Sequence, residues 1–418
     1  MGTVKSLRCP KCGSEPVSKT VFQCPRCRTI LEVNLEIGHL KGADFAAMRR
    51  SRDRSIWRWF DFFPVADRSS IVSLGEGNTP LIHARRLGER IGIADLYLKN
   101  DTVLPTGSLK DRSNSVGLSV AKEMGFTTAT VMSTGNAAAS VAAYSAAAGL
   151  RSVVMVPAGT APSKIIQARA YGATVVVIAG DFDNEVANLY KAAVQEFGWY
   201  DCLSSNPYRD EGKKSYAYEL ADDFDGRVPD WVIHPTAGGT GIYATWKGFK
   251  ELLSLGWIDR APKLAAAQSE AAAPIVAAFE KGAADVAPVV ARETIAESIQ
   301  VGNPVSLGWR ALSALRESIG TAVALSDREI FEAQALTGSL AGIFAEPAAA
   351  ASVAAARRLR AAGVIGRDEI VVCNLTGHGL KQPEAIRFAE KEFAPIAPTL
   401  DALREQIRRR RVSSSLND

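Results

Sequence analysis

A chain of 418 residues with 47% hydrophobic and 22% charged side chains has enough apolar surface for a large core, which predicts two domains plus an appendage. A formal charge of +4 on that length is too small to indicate nucleic acid or an anionic membrane surface as a partner. Apolar runs stop short of the roughly 20 residues that span a bilayer. The opening MGTVKSLRCP has no apolar segment of the signal-peptide kind, so the cytoplasm is the expected location.

The first element along the chain is a cysteine cluster. Cys9-x2-Cys12 and Cys24-x2-Cys27 are two CPxC knuckles separated by eleven residues, a spacing that gathers four thiolates around one tetrahedral zinc. A closed four-thiolate site has no open position for substrate, so the expected metal is structural. Two disulfides are the alternative, and nothing in the chain indicates the secretion they would require. A nucleic-acid recognition module is a second reading of such a ribbon, but this one lacks a row of basic and aromatic residues. Cys202 and Cys373 lie in apolar, strand-like contexts and read as core.

Next, LPTGSLKDRSNS (104–115) places Lys110 in the first turn of a predicted helix with Ser108 as its N-cap. The helix dipole disfavours a cation there, and an amine that deprotonates easily suits a Schiff base with a carbonyl cofactor. Lys110 shares a helical face with Asn114, Gly117 and Ala121, which turns the amine inward. Beyond it, TATVMST, SVVMVPA, ATVVVIA and YDCLS read as short strands separated by helices. The clearest of those helices begins at Phe182, with Val186, Leu189, Tyr190, Ala193, Val194 and Phe197 as its apolar stripe. A second series follows with DWVIHP, a helix from Ile242, KLAAAQS and, late in the chain, DEIVVCNLTG. Repeated βα units of this kind give parallel sheets covered on both faces, hence an α/β protein of two open domains with a cleft. Arg408 to Arg411 read as the solvated end of a last helix.

Ligands collect at the carboxyl ends of parallel strands, and three turns there carry the chemistry. In STGNAAAS (133–140) a helix opens with its amides exposed as an anion site, and Asn136 is placed to donate to a phenolate or carboxylate. In TAGGTG (236–241) glycines let the backbone form a phosphate nest, without a Walker lysine. GTGIYA, with Glu270 after the next strand, also fits a dinucleotide fingerprint, which makes an NAD-dependent oxidoreductase the rival from another class. In NLTGHGLKQP (374–383) His378 sits between two glycines and reads as a turn-shaping residue. No metalloprotease, serine-hydrolase or EF-hand pattern occurs. A lysine at a helix start, a phosphate nest without a nucleotide signature, and polar groups at other strand ends together point to pyridoxal phosphate.

SLGEGNTPL (73–81), PTGSLKDR, STGNAAAS, SSNPYRDEGKKS (204–215), VGNPVS (301–306), GIFAEPAAAAS (342–352) and TGHGLK (376–381) follow one another as they do in threonine synthases. The resemblance runs from about residue 5 to residue 385 and includes the zinc ribbon. It implies a fold type II pyridoxal phosphate enzyme, similar to the tryptophan synthase β subunit and usually dimeric. The implied activity belongs to amino-acid biosynthesis: a carbon-oxygen lyase acting on phosphates, which converts O-phospho-L-homoserine and water to L-threonine and phosphate. The implied domains are a ribbon at 1–33, a large cofactor-binding domain from 34–114 and 208–418, and a small mobile domain at 115–207.

Carried over by position, Lys110 resembles the Schiff-base lysine that also moves the substrate's protons. Asn136 resembles the partner of the cofactor's phenolic oxygen, and Thr376 the hydroxyl at its ring nitrogen. Ala237, Gly238, Gly239, Thr240 and Gly241 align with the cofactor phosphate loop. Ser133, Thr134, Ala137, Ser205, Asn206 and Arg209 fall where the family handles substrate, with Ser205, Asn206 and Arg209 at its phosphate; Glu76, before Thr79, is expected to shape the cleft. Four positions depart from the family: Ala137 stands for a threonine, Gln300 for an arginine, Leu104 for an asparagine and Gln382 for an acid. They keep a paralogue in view, a cysteate synthase-like enzyme performing β-replacement on O-phospho-L-serine.

Overall fold

The computed structural model describes residues 3–16, 18–43, 45–180, 185–304, 307–385 and 394–414. Phe182 and the end of VGNPVS lie outside the described residues. Among the described residues three sheets organise the chain. The first pairs β1 (Thr3–Arg8) with β2 (Glu32–Glu36) in an antiparallel ribbon. The largest has six strands: β3 (Leu81–His83), β4 (Leu96–Asn100), β9 (Trp231–Pro235), β10 (Lys263–Ser269), β11 (Thr321–Leu325) and β12 (Val371–Leu375). Their spatial order is β11-β10-β9-β12-β4-β3, all parallel except β3, which runs antiparallel at the edge. The third sheet comprises β5 (Thr128–Met132), β6 (Arg151–Pro157), β7 (Thr174–Ile178) and β8 (Tyr200–Asp201), parallel throughout in the order β7-β6-β5-β8.

The predicted alternation of strands and helices is therefore present, and the central strands are apolar because both of their faces are covered. β12 is buried at all five positions, as a parallel strand between two helix layers must be. The predicted helix after Phe182 is described from Ala187 to Phe197. It buries Tyr190 and Ala193 but leaves Leu189 and Phe197 exposed, so its stripe is narrower than its periodicity implied. Residues up to Gln382 make one compact unit; the remainder is a second, whose main element is the helix Leu400–Ser414. Among the described residues no helix is long and apolar enough to cross a membrane.

In the ribbon, the thiol sulfurs of Cys9, Cys12, Cys24 and Cys27 lie within 4.8 Å of one another. The closest pair, Cys9 and Cys27, is 3.4 Å apart, far beyond the roughly 2.05 Å of a disulfide, and all six cysteines are free. The ribbon is docked on the body of the protein. Phe22 meets Tyr200 and Tyr208 edge-on, the Tyr208 hydroxyl donates to the Lys19 carbonyl at 3.1 Å, and Lys247 Nζ donates to the Val33 carbonyl. Cys202 and Cys373 are buried core residues.

The helix Lys110–Glu123 is polar in sequence yet buried along most of its length. Its anchor is Arg112, whose guanidinium is wholly buried and donates to Asp101 at 2.8 Å, Glu219 at 2.5 Å, Ser215 at 2.8 Å and Thr79 at 2.9 Å. Lys99 adds a second cation to Glu219 at 2.9 Å. This cluster holds the helix against the large sheet with charge-assisted hydrogen bonds.

Candidate active site

The reactive end of that helix is built differently from the sequence expectation. Ser108 does not cap it: the helix begins at Lys110, and the Ser108 hydroxyl has no partner among the described residues. The reason is that Ser108 is bridged to Gly377, so its backbone belongs to a strand-like crossing and not to a cap. Capping runs backwards instead. The Asp111 carboxylate accepts from the Thr106 N–H at 2.7 Å and the Thr106 hydroxyl at 2.6 Å, across a turn that Gly107 makes at φ +80°. Burial pushes the Asp111 carboxyl up to about 6.

Lys110, Asn136, Ala237, Gly238, Gly239, Thr240, Gly241 and Thr376 line one cavity. Burial pushes the Lys110 amine down to about 7, with the nearby charges of Lys213 and Arg209 acting in the same direction and those of Glu346 and Asp210 against it. At neutral pH a large share of this lysine is the free amine, the form that attacks a carbonyl. Asn136 is the first residue of the helix Asn136–Ala148 and donates through Nδ2 to both oxygens of Glu346, at 3.1 and 3.0 Å.

The loop after β9 is a backbone cradle. Gly239 takes φ +99°, and a Cβ there would sit 2.4 Å from Ala311 Cβ; a Cβ on Gly241 would sit 2.5 Å from the His234 ring. Their amides precede or open the sixteen-residue helix Thr240–Leu255, whose dipole favours an anion at that end. Beneath the loop, Lys213 Nζ donates to the Thr240 hydroxyl at 2.8 Å and to Asp210 at 3.1 Å.

Among the lining residues absent from the sequence-derived set are His234, Glu346 and Ser298. His234, pushed down to about 4 by burial, is neutral and hydrogen-bonded through Nδ1 to the Pro235 carbonyl at 2.8 Å. Its Nε2 has no partner among the described residues. Glu346 is buried, which raises its carboxyl, and it also accepts from Ser298 at 3.4 Å. Glu346 had a sequence signal, an acid directly before the proline that opens a helix at Pro347, but that pattern marks a helix start and not a cleft. Ser298 had none.

The substrate-side residues fall in two groups. Ser133, Thr134 and Ala137 flank Asn136 at the carboxyl end of β5, all half-buried. Ser205, Asn206 and Arg209 belong to the segment entering the helix Pro207–Lys213. Both ends of the Asn206 amide are bonded: Oδ1 accepts from the Tyr208 N–H at 3.0 Å as the helix cap, and Nδ2 donates to the Asp201 carbonyl at 2.8 Å. Arg209 is 3% exposed and bonds through Nε to Asn114 Oδ1 at 3.0 Å, and among the described residues it makes no ion pair. Glu76 is buried and ties the loop before β3 to two helices, accepting from Ser115 at 2.5 Å and Tyr144 at 2.7 Å. His378 is the expected turn residue, accepting the Leu380 N–H at 3.0 Å. Of the departures, Gln300 donates to the Arg292 carbonyl and Leu104 is buried.

Residues 72–377 match the family described as pyridoxal-phosphate dependent enzyme. The chain is 42% identical over 399 residues to the threonine synthase of Methanocaldococcus jannaschii, covering 95% of this chain and 98% of that one. It is 41% identical over 403 residues to the threonine synthase of Methanosarcina acetivorans, covering 96% and 98%. The chain belongs to the threonine synthase family of pyridoxal-phosphate-dependent enzymes. Among solved structures, maize serine racemase superposes with a TM-score of 0.62 at 20% identity over 72% of this chain and 88% of that one, which shows the shared fold. The processed form of threonine deaminase isoform 2 from Solanum lycopersicum superposes with a TM-score of 0.62 at 20% identity, over 73% and 86%. The dinucleotide reading of GTGIYA falls away with this assignment.

The residues present fit the cofactor of the threonine synthase family. Pyridoxal phosphate needs an amine that is neutral near pH 7, a donor for its phenolic oxygen, a hydroxyl at the ring nitrogen and a nest for its phosphate. Lys110, Asn136, Thr376 and the crowded glycine loop supply these groups around one cavity.

Proposed function

We propose that this chain makes L-threonine from O-phospho-L-homoserine and water, releasing phosphate, with Lys110 as the point of cofactor attachment and proton carrier and Arg209 as partner of the substrate phosphate. One observation carries the reading: a near-neutral amine and a buried guanidinium without an ion pair are gathered by one helix. Bound pyridoxal phosphate supplies a sink for the electron pair left when a proton leaves the substrate. Lys110 Nζ takes the proton from Cα and then from Cβ. Phosphate leaves Cγ with the electrons of the C–O bond, and the Arg209 fork and Ser205 hydroxyl hold it. Water adds its hydroxyl at Cβ while Lys110 returns protons, so that Cγ ends as a methyl group. Ser133, Thr134 and the amide of Ala137 bind the carboxylate at a helix start. Asn206, whose side chain caps the helix of Arg209, contributes by fixing that helix.

Further parts of the reading rest on the family resemblance. The four ribbon thiolates hold a structural zinc, residues 115–207 form the mobile domain that closes the cleft, and the enzyme is a cytoplasmic homodimer. Metal analysis checks the first and sedimentation the oligomer. The reaction is tested by giving the purified protein O-phospho-L-homoserine and, separately, O-phospho-L-serine, following phosphate release and identifying the amino acid formed. Threonine from the first is expected. Release from phosphoserine alone would instead establish the β-replacement paralogue and make Ala137 and Gln300 the positions where it diverged.

A further inference from the structure

The lysine-bearing helix also seats Arg209. The arginine's stem crosses Gly117 so closely that a Cβ there would stand 2.8 Å from Arg209 Cγ. One turn earlier, Asn114 Oδ1 receives Nε at 3.0 Å. The two helices meet backbone to backbone at a second point, where a Cβ on Gly212 would lie 1.8 Å from the Arg112 carbonyl oxygen. Lys110, Asn114 and Gly117 are spaced i, i+4 and i+7, one stripe of one helix. A single rigid element therefore sets the separation between reactive amine and guanidinium.

The choice of an amide at 114 is informative. Arg112, Arg310, Lys213 and Lys214, all buried nearby, each hold at least one carboxylate. Among the described residues Arg209 alone of these five cations has no ion-paired carboxylate; Asn114 satisfies its Nε with a neutral oxygen, and Asp201 acts on its charge only at longer range. Asn114 Nδ2 has no partner among the described residues, so an aspartate would forfeit no protein hydrogen bond at this position. What the amide provides and a carboxylate would not is neutrality. A buried unpaired cation favours a ligand that brings an anion, and it penalises the same ligand without one.

We propose that Asn114, together with Gly117, is a specificity-determining positioning residue that aims the Arg209 guanidinium and keeps its charge available for a phosphate-bearing substrate. The inference rests on reading Arg209 as the substrate-phosphate partner. The test is steady-state kinetics of the holoenzyme with O-phospho-L-homoserine, with inorganic phosphate as inhibitor and the cofactor absorbance near ~410 nm as the integrity check. Asn114→Asp is expected to raise KM and the phosphate inhibition constant by about tenfold or more, with kcat changed less than about threefold. Asn114→Ala is expected to raise them only about two- to threefold. A packing defect would reverse that order, because aspartate is nearly the shape of asparagine and alanine is not.

If Asn114→Asp does not retain the cofactor band, Asn114→Ser and Gly117→Ala carry the test. The serine variant should resemble alanine, and the added methyl at 117 should raise both constants with the band intact. KM and inhibition constant within twofold of the parent in Asn114→Asp, or in Gly117→Ala where that variant carries the test, overturn the inference if Arg209→Gln raises both. If Arg209→Gln also leaves both unchanged, the assignment of Arg209 to the substrate phosphate falls, and the inference with it.

Discussion

The helix that begins at Lys110 and the helix that begins at Asn136 bring their first residues to the same cavity, yet they are held in place by different physics. The first is fixed by buried charge: Arg112 alone makes bonds to Asp101, Glu219, Ser215 and Thr79. The second is mostly alanine, packed largely by apolar contact; among the described residues its side-chain links include Asn136 on Glu346 and Ser298 and Tyr144 on Glu76. Its neighbour Pro162–Ala170 joins the other wall through Gln167 on the Thr106 carbonyl at 3.2 Å and an ion pair of Lys164 with Glu297. A charged wall is expensive to disturb because each lost partner strands a buried ion, whereas displacing an alanine strands none.

The contrast is sharpest at Lys110 itself. Lys110→Ala should lower turnover by about a thousandfold or more and abolish the borohydride-fixed cofactor label, while leaving the far-UV spectrum of the apoprotein unchanged. Next in size is the anchor. Arg112→Met leaves Asp101 and Glu219 without their guanidinium and should reduce stability by about 3–5 kcal/mol in denaturant titration; a loss below about 1 kcal/mol would break the comparison.

A pH series comes third. Because the Lys110 amine lies at about 7, below its ordinary 10.5, cofactor attachment should rise with pH through about 7 and level off above it, measured by stopped-flow absorbance. The sign for stability follows: between about 7 and 10.5 the unfolded chain binds the extra proton, so this group's contribution to apoprotein stability increases with pH across that window. The smallest effect belongs to the other wall. Lys164→Ala removes a partly exposed pair and should change stability by less than about 1 kcal/mol, with at most a few-fold rise in KM.

Much of this was legible in the chain. Two CPxC knuckles, the strand-helix alternation and Lys110 are local patterns, and the eight residues expected at the cofactor from turn patterns and the family resemblance line one cavity. What escaped depends on contacts between distant segments. Glu346 meets Asn136 across 210 positions, and Arg209 meets Asn114 across 95. No periodicity carries such a pairing. The antiparallel edge strand β3, only three residues long, was equally silent, and Ser108 misled because a residue type that commonly caps helices here bridges to Gly377. Asn206, expected on substrate, also uses both ends of its amide to hold the backbone, a role its sequence position did not announce.

The docking of the ribbon has a consequence for how the chain is made. Tyr208, whose hydroxyl reaches the Lys19 carbonyl, follows Cys27 by 181 residues, and Lys247, which reaches the Val33 carbonyl, comes later still. At about 5–20 residues per second, four thiols leave the ribosome about ten to forty seconds before their resting place has been synthesised. During that interval the ribbon must stand alone, so the knuckles have to close on themselves first, and the newborn chain carries its most oxidisable side chains through synthesis with only its own turns to shelter them.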